Sequence, residues 1–569
     1  MKSYLKAASM VTAMTVAAGA MAGCGQTRTD QATTDTQIAR DTYTESSYYE
    51  GAAEETMAAE ESYDYAETET ADYSMAKSEA MYEDNGIAEG GCVLDGSEVE
   101  VYDIPENTES YEKVEENGFD LVATKPLSTF AADVDTASYS NVRRMIENGY
   151  SLSEINPDAV RAEEFINYFQ YDLHAPEGKD KFGLTTEISK CPWNEDHDLM
   201  FVGMKTEDID FRESPDANLV FLIDVSGSMD EPNKLPLLQK AFKEMVDELP
   251  GRGTISMVTY SGREEVVLSG ESMKNKEAIK DAIDELSAYG STNGESGIKK
   301  AYEIAKQYYI DGGINRVIMA TDGDLNVGVS SPEELEQLIK TKKDDGIFLS
   351  VLGFGMGNYK DDNLEKLADC GNGNYSYIDS LLEAKKVMVD EMGGTLVTVA
   401  KDVKLQVEFN PARVNAYRLI GYENRIMADA DFADDTKDGG EIGAGHSVVA
   451  LYEIIPADSE SAISLKYAEK TEVDYSSEYA TLSIRYKEPE GNKSDLVSVA
   501  IGNDSYSDEP SENLRFAGLV SEFAMILSNS DNKGTATLEG IMEDYKKVEN
   551  TDEYKDEFYQ MVRMVAKRG

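Results

Sequence analysis

Five oxygen-bearing side chains stand where predicted strands end, and their chemistry suits ligand binding. Asp224, Ser226 and Ser228 directly follow a continuous apolar run, Thr292 lies in a later loop, and Asp322 follows another apolar run. In open α/β sheets, ligands bind outside the carboxyl ends of the strands. Taken alone, the Asp-x-Ser-Gly-Ser segment is equally consistent with a strand-to-helix turn in which a serine caps the helix. The three segments together favour a ligand site.

Motifs of other chemistries are missing from the sequence. It contains no G-x-x-x-x-G-K-[ST] loop, no H-E-x-x-H pair and no G-x-S-x-G nucleophile elbow. The three histidines, His174, His197 and His446, are far apart in the chain. A Ser–His or Cys–His hydrolase stays open, since such partners need only meet in space. Nothing positive supports one, so the prediction is that the protein is not an enzyme.

Strands and helices alternate around the five residues. Apolar runs at 218–223, 254–260, 316–320 and 348–352 have the length of buried strands, and helical patterns separate them. This alternation predicts an α/β doubly wound, Rossmann-like sheet over residues 214–394.

The residue set resembles the metal-ion-dependent adhesion site of von Willebrand factor type A domains. The resemblance implies a bound Mg²⁺, or else Mn²⁺ or Ca²⁺, which are hard cations that take oxygen ligands. It implies that Ser226, Ser228 and Thr292 donate hydroxyl oxygens, and that Asp224 and Asp322 act directly or through water. When few carboxylates bind the cation directly, its positive charge is only partly neutralised. A Glu or Asp of a partner protein is then expected to complete its shell.

The segments on either side of this domain predict a second module. Alternating strands after the domain indicate a β-sandwich that is thin by itself. Two strands before the domain are predicted to complete it, so that the α/β domain is inserted in a β-sandwich-like module with helices at both ends. The predicted strands are 184–189, 199–204, 403–409, 414–419, 446–454 and 479–486, and the predicted C-terminal helices are 514–527, 537–548 and 554–565.

Several strings before the α/β domain are similar to the accessory region of one bacterial family. They are 127–130, 133–139, 141–144, 166–169 and 191–194. The family consists of von Willebrand A-domain lipoproteins with a further C-terminal domain of unknown function, and the similarity extends over most of the chain.

The first residues have the form of an export signal. Two lysines precede the apolar run 7–22, which is too short for a comfortable membrane span. Small residues before Cys24 resemble a bacterial lipobox, which implies cleavage after residue 23 and diacylation of Cys24, with palmitate as a typical acyl group. The alternative is an ordinary signal peptide with an incidental cysteine. Two acyl chains would give stable anchoring.

A long acidic segment follows the predicted anchor. Residues 25–125 contain 27 acidic and 5 basic side chains. Such a chain cannot bury enough apolar surface to offset its ordering entropy, so residues 24–125 are predicted to form a disordered tether. An interaction segment rich in tyrosine is the alternative. The formal charge of the whole chain, −57, argues against nucleic acid and against anionic lipid. Membrane contact is therefore expected through the anchor only.

Three further cysteines, Cys92, Cys191 and Cys370, leave an odd number in an exported chain. A complete disulfide framework is excluded, although one pair can form and the sequence does not say which. None has a C-x-x-C partner, which disfavours thiolate metal sites.

Together these observations predict an exported lipoprotein on the outer face of the cell membrane or in the envelope. It binds or scaffolds protein partners through a divalent metal, with no nucleic acid and no small-molecule substrate. The alternative is a regulatory subunit that docks its A domain onto an envelope enzyme or ATP-driven machine. The predicted divisions are 1–23, 24–125, 126–213, 214–394, 395–508 and 509–569.

Overall fold

The computed structural model describes most of the chain that follows the acidic segment. The predicted signal peptide, Cys24, Cys92 and the greater part of the predicted tether lie outside the described residues and stay predictions. Among the helices of the described part, none combines the length and apolar character that a membrane span requires. The described residues are 109–209, 214–249, 251–323, 332–355, 361–463, 477–489 and 491–569.

Within these residues, the strands form three sheets. In chain order they are β1 (Asp120–Leu121), β2 (Leu127–Ala131), β3 (Phe182–Lys190), β4 (Asp198–Thr206), β5 (Ala217–Asp224), β6 (Gly253–Tyr260), β7 (Glu264–Ser272), β8 (Ile314–Thr321), β9 (Phe348–Phe354), β10 (Tyr375–Ile378), β11 (Thr398–Phe409), β12 (Val414–Ile420), β13 (Gly440–Gly443), β14 (Ser447–Pro456), β15 (Glu478–Lys487) and β16 (Ser494–Gly502).

The helices cover the faces of two of these sheets. They are α1 (Ala137–Glu147), α2 (Ala162–Asn167), α3 (Leu235–Glu248), α4 (Lys276–Asp284), α5 (Gly294–Gln307), α6 (Pro332–Asp344), α7 (Asp361–Cys370), α8 (Leu381–Lys385), α9 (Met392–Leu396), α10 (Glu512–Leu527), α11 (Leu538–Asp544) and α12 (Glu553–Arg568).

The central sheet has the order β10-β9-β8-β5-β6-β7, and its neighbouring strands are parallel except β6 and β7. Every residue of β5 and β8 is buried, because helices cover both faces of the sheet. Alternate residues of β5 enter different cores. Phe221 packs on Phe242 of α3 with ring centroids 4.6 Å apart, whereas Val220 and Leu222 share a core with α5, α6 and α7. The predicted doubly wound α/β domain is confirmed.

A β-sandwich combines strands from both flanks of that domain. One sheet has the order β1-β12-β14-β4-β3, and the other has the order β13-β11-β15-β16 with β2 also paired to β11. Apolar side chains that include Val202, Leu405 and Leu482 fill the space between the two sheets. Strand β4 precedes the central domain in the chain, whereas its partner β14 follows it. The prediction of an α/β domain inserted in a β module is therefore confirmed.

Helices from both ends of the described chain cover the outer face of the first sheet. Phe165 of α2 packs with Phe516 and Phe523 of α10 and with Phe558 of α12 in one core that also includes Phe201 of β4. The sequence-predicted C-terminal helices therefore exist, and they close a face of the sandwich that would otherwise expose apolar side chains to water.

Residues 109–125, predicted as the end of the tether, belong to this folded part instead. Glu109 pairs with Arg144 at 2.7 Å, Glu116 pairs with Arg418 at 2.7 Å, and β1 pairs with β12. Both arginines are buried. Their charges need carboxylate partners, so acidic residues serve here as counter-ions rather than as a sign of an unfolded chain.

The two cysteines in the described residues are both free thiols, which excludes a Cys191–Cys370 disulfide. Cys191 is buried and Cys370 is partly buried. Burial raises the pKa of both thiols, so neither is a reactive thiolate at neutral pH.

A fully buried arginine joins the inserted domain to the helices around it. Arg143 of α1 is 1% exposed. Its guanidinium donates to Asp379 at 2.6 and 2.7 Å, to Glu383 of α8 at 2.7 Å, and to Glu557 of α12 at 2.7 Å. It also donates to the Tyr168 hydroxyl at 2.7 Å. One cation therefore connects three segments that are far apart in the chain.

We expect Arg143→Met to destabilise the protein by about 3–5 kcal/mol, because it leaves buried carboxylates without their cation. Chemical denaturation monitored by circular dichroism measures this loss. Arg563→Met is the matched control, because Arg563 bonds to Gln560 on the exposed side of α12, and it should cost less than about 0.5 kcal/mol. Equal losses in the free energy of unfolding for the two variants would contradict the role of Arg143 as the buried counter-ion of these carboxylates.

Candidate metal centre

The first loop of the centre follows β5, which ends at Asp224. The Asp224 carboxylate is fully buried and accepts hydrogen bonds from the Ser226 backbone N–H at 2.8 Å and from the Thr321 hydroxyl at 3.3 Å. The hydroxyl oxygens of Ser226 and Ser228 are 3.0 Å apart. Two hydroxyls and one carboxylate therefore converge within a single turn of chain.

A second loop lies against the first through backbone hydrogen bonds. The Tyr289 N–H donates to the Val225 carbonyl at 2.7 Å, and the Gly227 N–H donates to the Gly290 carbonyl at 3.0 Å. Thr292 is half-buried and follows Gly290 by two residues. Because the pairing is between backbones, it holds the Thr292 loop beside the serines whatever the nearby side chains are.

The third segment is the end of β8. Asp322 follows this strand directly and is 2% exposed. One of its carboxylate oxygens, Oδ2, accepts from the Lys234 ammonium at 3.2 Å. The other, Oδ1, is buried and has no hydrogen-bond partner among the described residues. A buried carboxylate oxygen without a donor is costly, and a cation is the species that would satisfy it.

The carboxylates of Asp224 and Asp322 interact electrostatically, and both are buried. Burial, followed by the nearby charge of Asp322, raises the pKa of Asp224 to about 6. Hydrogen bonds from Ser226 and Thr321 oppose this rise but do not cancel it. The edge of the sheet therefore holds negative charge that the hydrogen-bond donors of the described residues do not fully offset.

Lys234 is a member of the centre that the sequence analysis missed. It stands just before α3, is 3% exposed, and donates to the Ser228 carbonyl at 2.9 Å as well as to Asp322. A helix N-terminus disfavours cations, and lysine is rarely buried without a partner. A lysine between the Asp-x-Ser-x-Ser segment and an apolar helix is therefore the sequence signal that could have indicated a buried, paired lysine at this site.

The residues present fit a hard divalent cation. Among the described residues, the centre offers neutral hydroxyls and two carboxylates, one of which has an oxygen without a hydrogen-bond partner, and it contains no sulfur or imidazole. In the described part of the chain, this centre included, no group of three or more His, Cys, Asp or Glu side chains is placed to hold a metal, so hydroxyl oxygens are needed to complete a metal shell here.

Family models match three consecutive parts of the chain. Residues 105–201 match a model described as von Willebrand factor, and residues 218–389 match the von Willebrand factor type A domain. Residues 394–567 match the model described as "Uncharacterized protein YfbK, C-terminal". The chain is also 41% identical over 473 residues to the uncharacterized protein YfbK of Escherichia coli (strain K12), across 80% of this chain and 81% of that protein. The chain belongs to the YfbK family.

This membership confirms the predicted family of A-domain proteins with a further C-terminal domain, whereas its lipoprotein character stays a prediction. A von Willebrand A domain of this kind generally mediates protein–protein interaction, often through a divalent metal at its adhesion site.

Two solved structures illustrate the likeness of the YfbK-family chain to A-domain proteins. A von Willebrand factor type A protein from Catenulispora acidiphila has a TM-score of 0.37 at 16% identity, covering 69% of this chain and 91% of that one. Proximal thread matrix protein 1 from the mussel byssus, described with a zinc-occupied adhesion-site motif, has a TM-score of 0.27 at 24% identity. It covers 33% of this chain and 46% of that one.

The raised pKa of Asp224 gives a pH dependence with a definite sign. The unfolded chain loses this proton near its ordinary pKa of about 4, whereas the folded protein keeps it until about 6. This contribution to stability is present in full below about pH 4 and is lost as the pH rises through about 6. In buffer containing EDTA, Asp224→Asn should therefore become more stable than the wild type, by on the order of 2–3 kcal/mol at about pH 7.

Urea denaturation of both proteins at about pH 5 and about pH 7 measures this difference. If the free energies of unfolding of the two proteins differ by the same amount at both pH values, the raised pKa of Asp224 is contradicted.

Proposed function

We propose that this protein is a binding protein of the cell envelope that holds an acidic side chain of a partner protein through a divalent cation. The observation that carries the proposal is the buried Oδ1 of Asp322, which has no hydrogen-bond partner among the described residues and lies near Asp224 and the two serine hydroxyls. A buried carboxylate in this setting gains more from a cation than from any neutral donor.

Five side chains from the three loops would bind the ion together. Ser226, Ser228 and Thr292 would bind it through hydroxyl oxygens, and Asp224 and Asp322 would bind it directly or through water. Mg²⁺ is the expected ion, with Mn²⁺ or Ca²⁺ as alternatives, because all three prefer oxygen. When bound, the cation supplies an open coordination position to the partner's carboxylate. No histidine belongs to these loops, which supports binding rather than catalysis.

The surface around the centre explains why a cation would decide whether the partner binds. Asp230 and Glu231 are exposed beside Ser228, and the whole chain has a formal charge of −57. An acidic partner would be repelled by this surface in the absence of a metal. Tyr289, 46% exposed beside the Thr292 loop, offers an aromatic contact next to the carboxylate position.

Location is part of the same proposal. An export signal and a diacylated Cys24 would place the folded part outside the cell membrane, at the end of the acidic segment. Two acyl chains hold a protein at a membrane stably, whereas a single chain does not.

Capture of partners should require both metal and ligand side chains. We expect full-length wild-type protein to retain a specific set of envelope proteins in Mg²⁺ and to release them in EDTA. Ser226→Ala and Asp322→Ala should retain about tenfold less in Mg²⁺, because each removes an oxygen from the cation. Quantitative mass spectrometry of the retained proteins measures this.

Ser287→Ala is the matched control, because Ser287 is exposed and lies in the same loop as Thr292 but is not one of the predicted metal ligands. EDTA should leave the circular dichroism spectrum unchanged, unlike the removal of a structural zinc ion. Retention that survives EDTA and both ligand substitutions would show that the partner binds elsewhere.

Cys24→Ala should release the protein from membranes, because it removes the acceptor of both acyl chains. Membrane and soluble fractions compared by immunoblotting measure the release, and intact electrophoretic mobility checks that the chain is not degraded. Unchanged membrane retention of the variant would contradict the anchor.

A further inference from the structure

Lys234 places a buried positive charge inside the metal centre. Its ammonium is within hydrogen-bond distance of Asp322 Oδ2, at 3.2 Å, and of the Ser228 carbonyl, at 2.9 Å. Both the lysine and the aspartate are almost fully buried, so solvent screens this pair weakly. Among the described residues, Lys234 forms its ion pair with Asp322.

The backbone around Lys234 holds the side chain in this direction. The Lys234 N–H donates to the Glu231 carbonyl at 3.0 Å, and its carbonyl accepts from Leu238 at 2.9 Å as α3 begins. The aliphatic stem passes Gly355, where an added Cβ would lie 2.2 Å from the lysine Cε. Gly355 also has φ of +80°, so no other residue would fit there without strain.

Charge counting shows what this lysine does to a bound cation. Asp224 and Asp322 carry two negative charges, and a divalent ion alone would bring their sum to zero. The Lys234 ammonium adds one positive charge, so that the loaded centre has a net charge of about +1.

We propose that Lys234 is a built-in counter-cation of the metal centre that weakens metal binding and leaves the loaded centre positive, so that it draws in a carboxylate. This inference rests on the proposed function. It adds that a residue which need not contact either the metal or the acidic ligand lowers the affinity of the centre for the first and raises it for the second. By linkage, the carboxylate tightens metal binding by the same factor as the metal tightens carboxylate binding.

A purely structural lysine and a counter-cation differ in what their removal does. Loss of a structural lysine would disturb the loops and weaken metal and carboxylate binding together. Loss of a counter-cation should change the two in opposite directions, because the metal gains affinity while the carboxylate loses it. Opposite signs are therefore the diagnostic result.

The test measures Mn²⁺ binding to the full chain from the electron paramagnetic resonance signal of free Mn²⁺. Lys234→Met and Lys234→Gln both remove the charge, and Gln keeps a hydrogen-bond donor, so one variant serves if the other folds poorly. We expect both to bind Mn²⁺ at least about tenfold more tightly than the wild type. Lys240→Met, which removes an exposed charge from α3, should stay within about twofold.

The same titration with acetate in place of chloride, at constant ionic strength, reports on the carboxylate. Acetate should tighten Mn²⁺ binding by the wild type and by Lys240→Met, and at the same acetate concentration this gain should be smaller in both Lys234 variants. Unchanged or weaker Mn²⁺ binding by the Lys234 variants would overturn the role of Lys234 while leaving the metal centre intact. Equal, residual Mn²⁺ binding by the wild type and by Asp224→Ala would instead overturn the metal centre itself.

Discussion

The constraint on which the centre depends is the placement of two carboxylates side by side at the dry end of parallel strands. Asp224 and Asp322 follow neighbouring strands, so the sheet itself brings them together. Burial removes the water that would otherwise solvate them, and the backbone supplies too few donors. A positive charge is the remaining way to stabilise the pair, and Lys234 supplies only part of it. The affinity that we propose for a divalent cation at this edge follows from this shortage of donors.

The rest of the molecule supports the domain that carries this edge. The sandwich takes strands from both flanks, because the chain enters the central domain after β4 of one sheet and leaves it into β11 of the other. On another side, Arg143 connects α1 and α12 to the segment that follows β10. The inserted domain is thereby fixed at several places, and Gly227 and Ser228 of the loop after β5 are exposed. A rigid support lowers the conformational cost of binding.

How much of this could be predicted from the sequence depends on the range of the interactions. The strands that end at Asp224 and Asp322 were predictable because continuous apolar runs indicate buried parallel strands. The sandwich was predictable because strands after the domain were too few for a module of their own. The Lys234–Asp322 pair and the Arg143 network were not, because they join residues far apart in the chain. Acidic composition misplaced residues 109–125 for the same reason, since Glu109 and Glu116 have distant arginines as partners.

The central claim is that a single divalent cation binds where the loops after β5 and β8 meet, and anomalous diffraction from crystals soaked in Mn²⁺ tests it most directly. The account predicts one strong peak at about 2.0–2.4 Å from the hydroxyl oxygens of Ser226 and Ser228, with a carboxylate or water completing the shell. The absence of a peak at this edge, or a peak found only beside another acidic group such as Asp133 and Asp135, would contradict it.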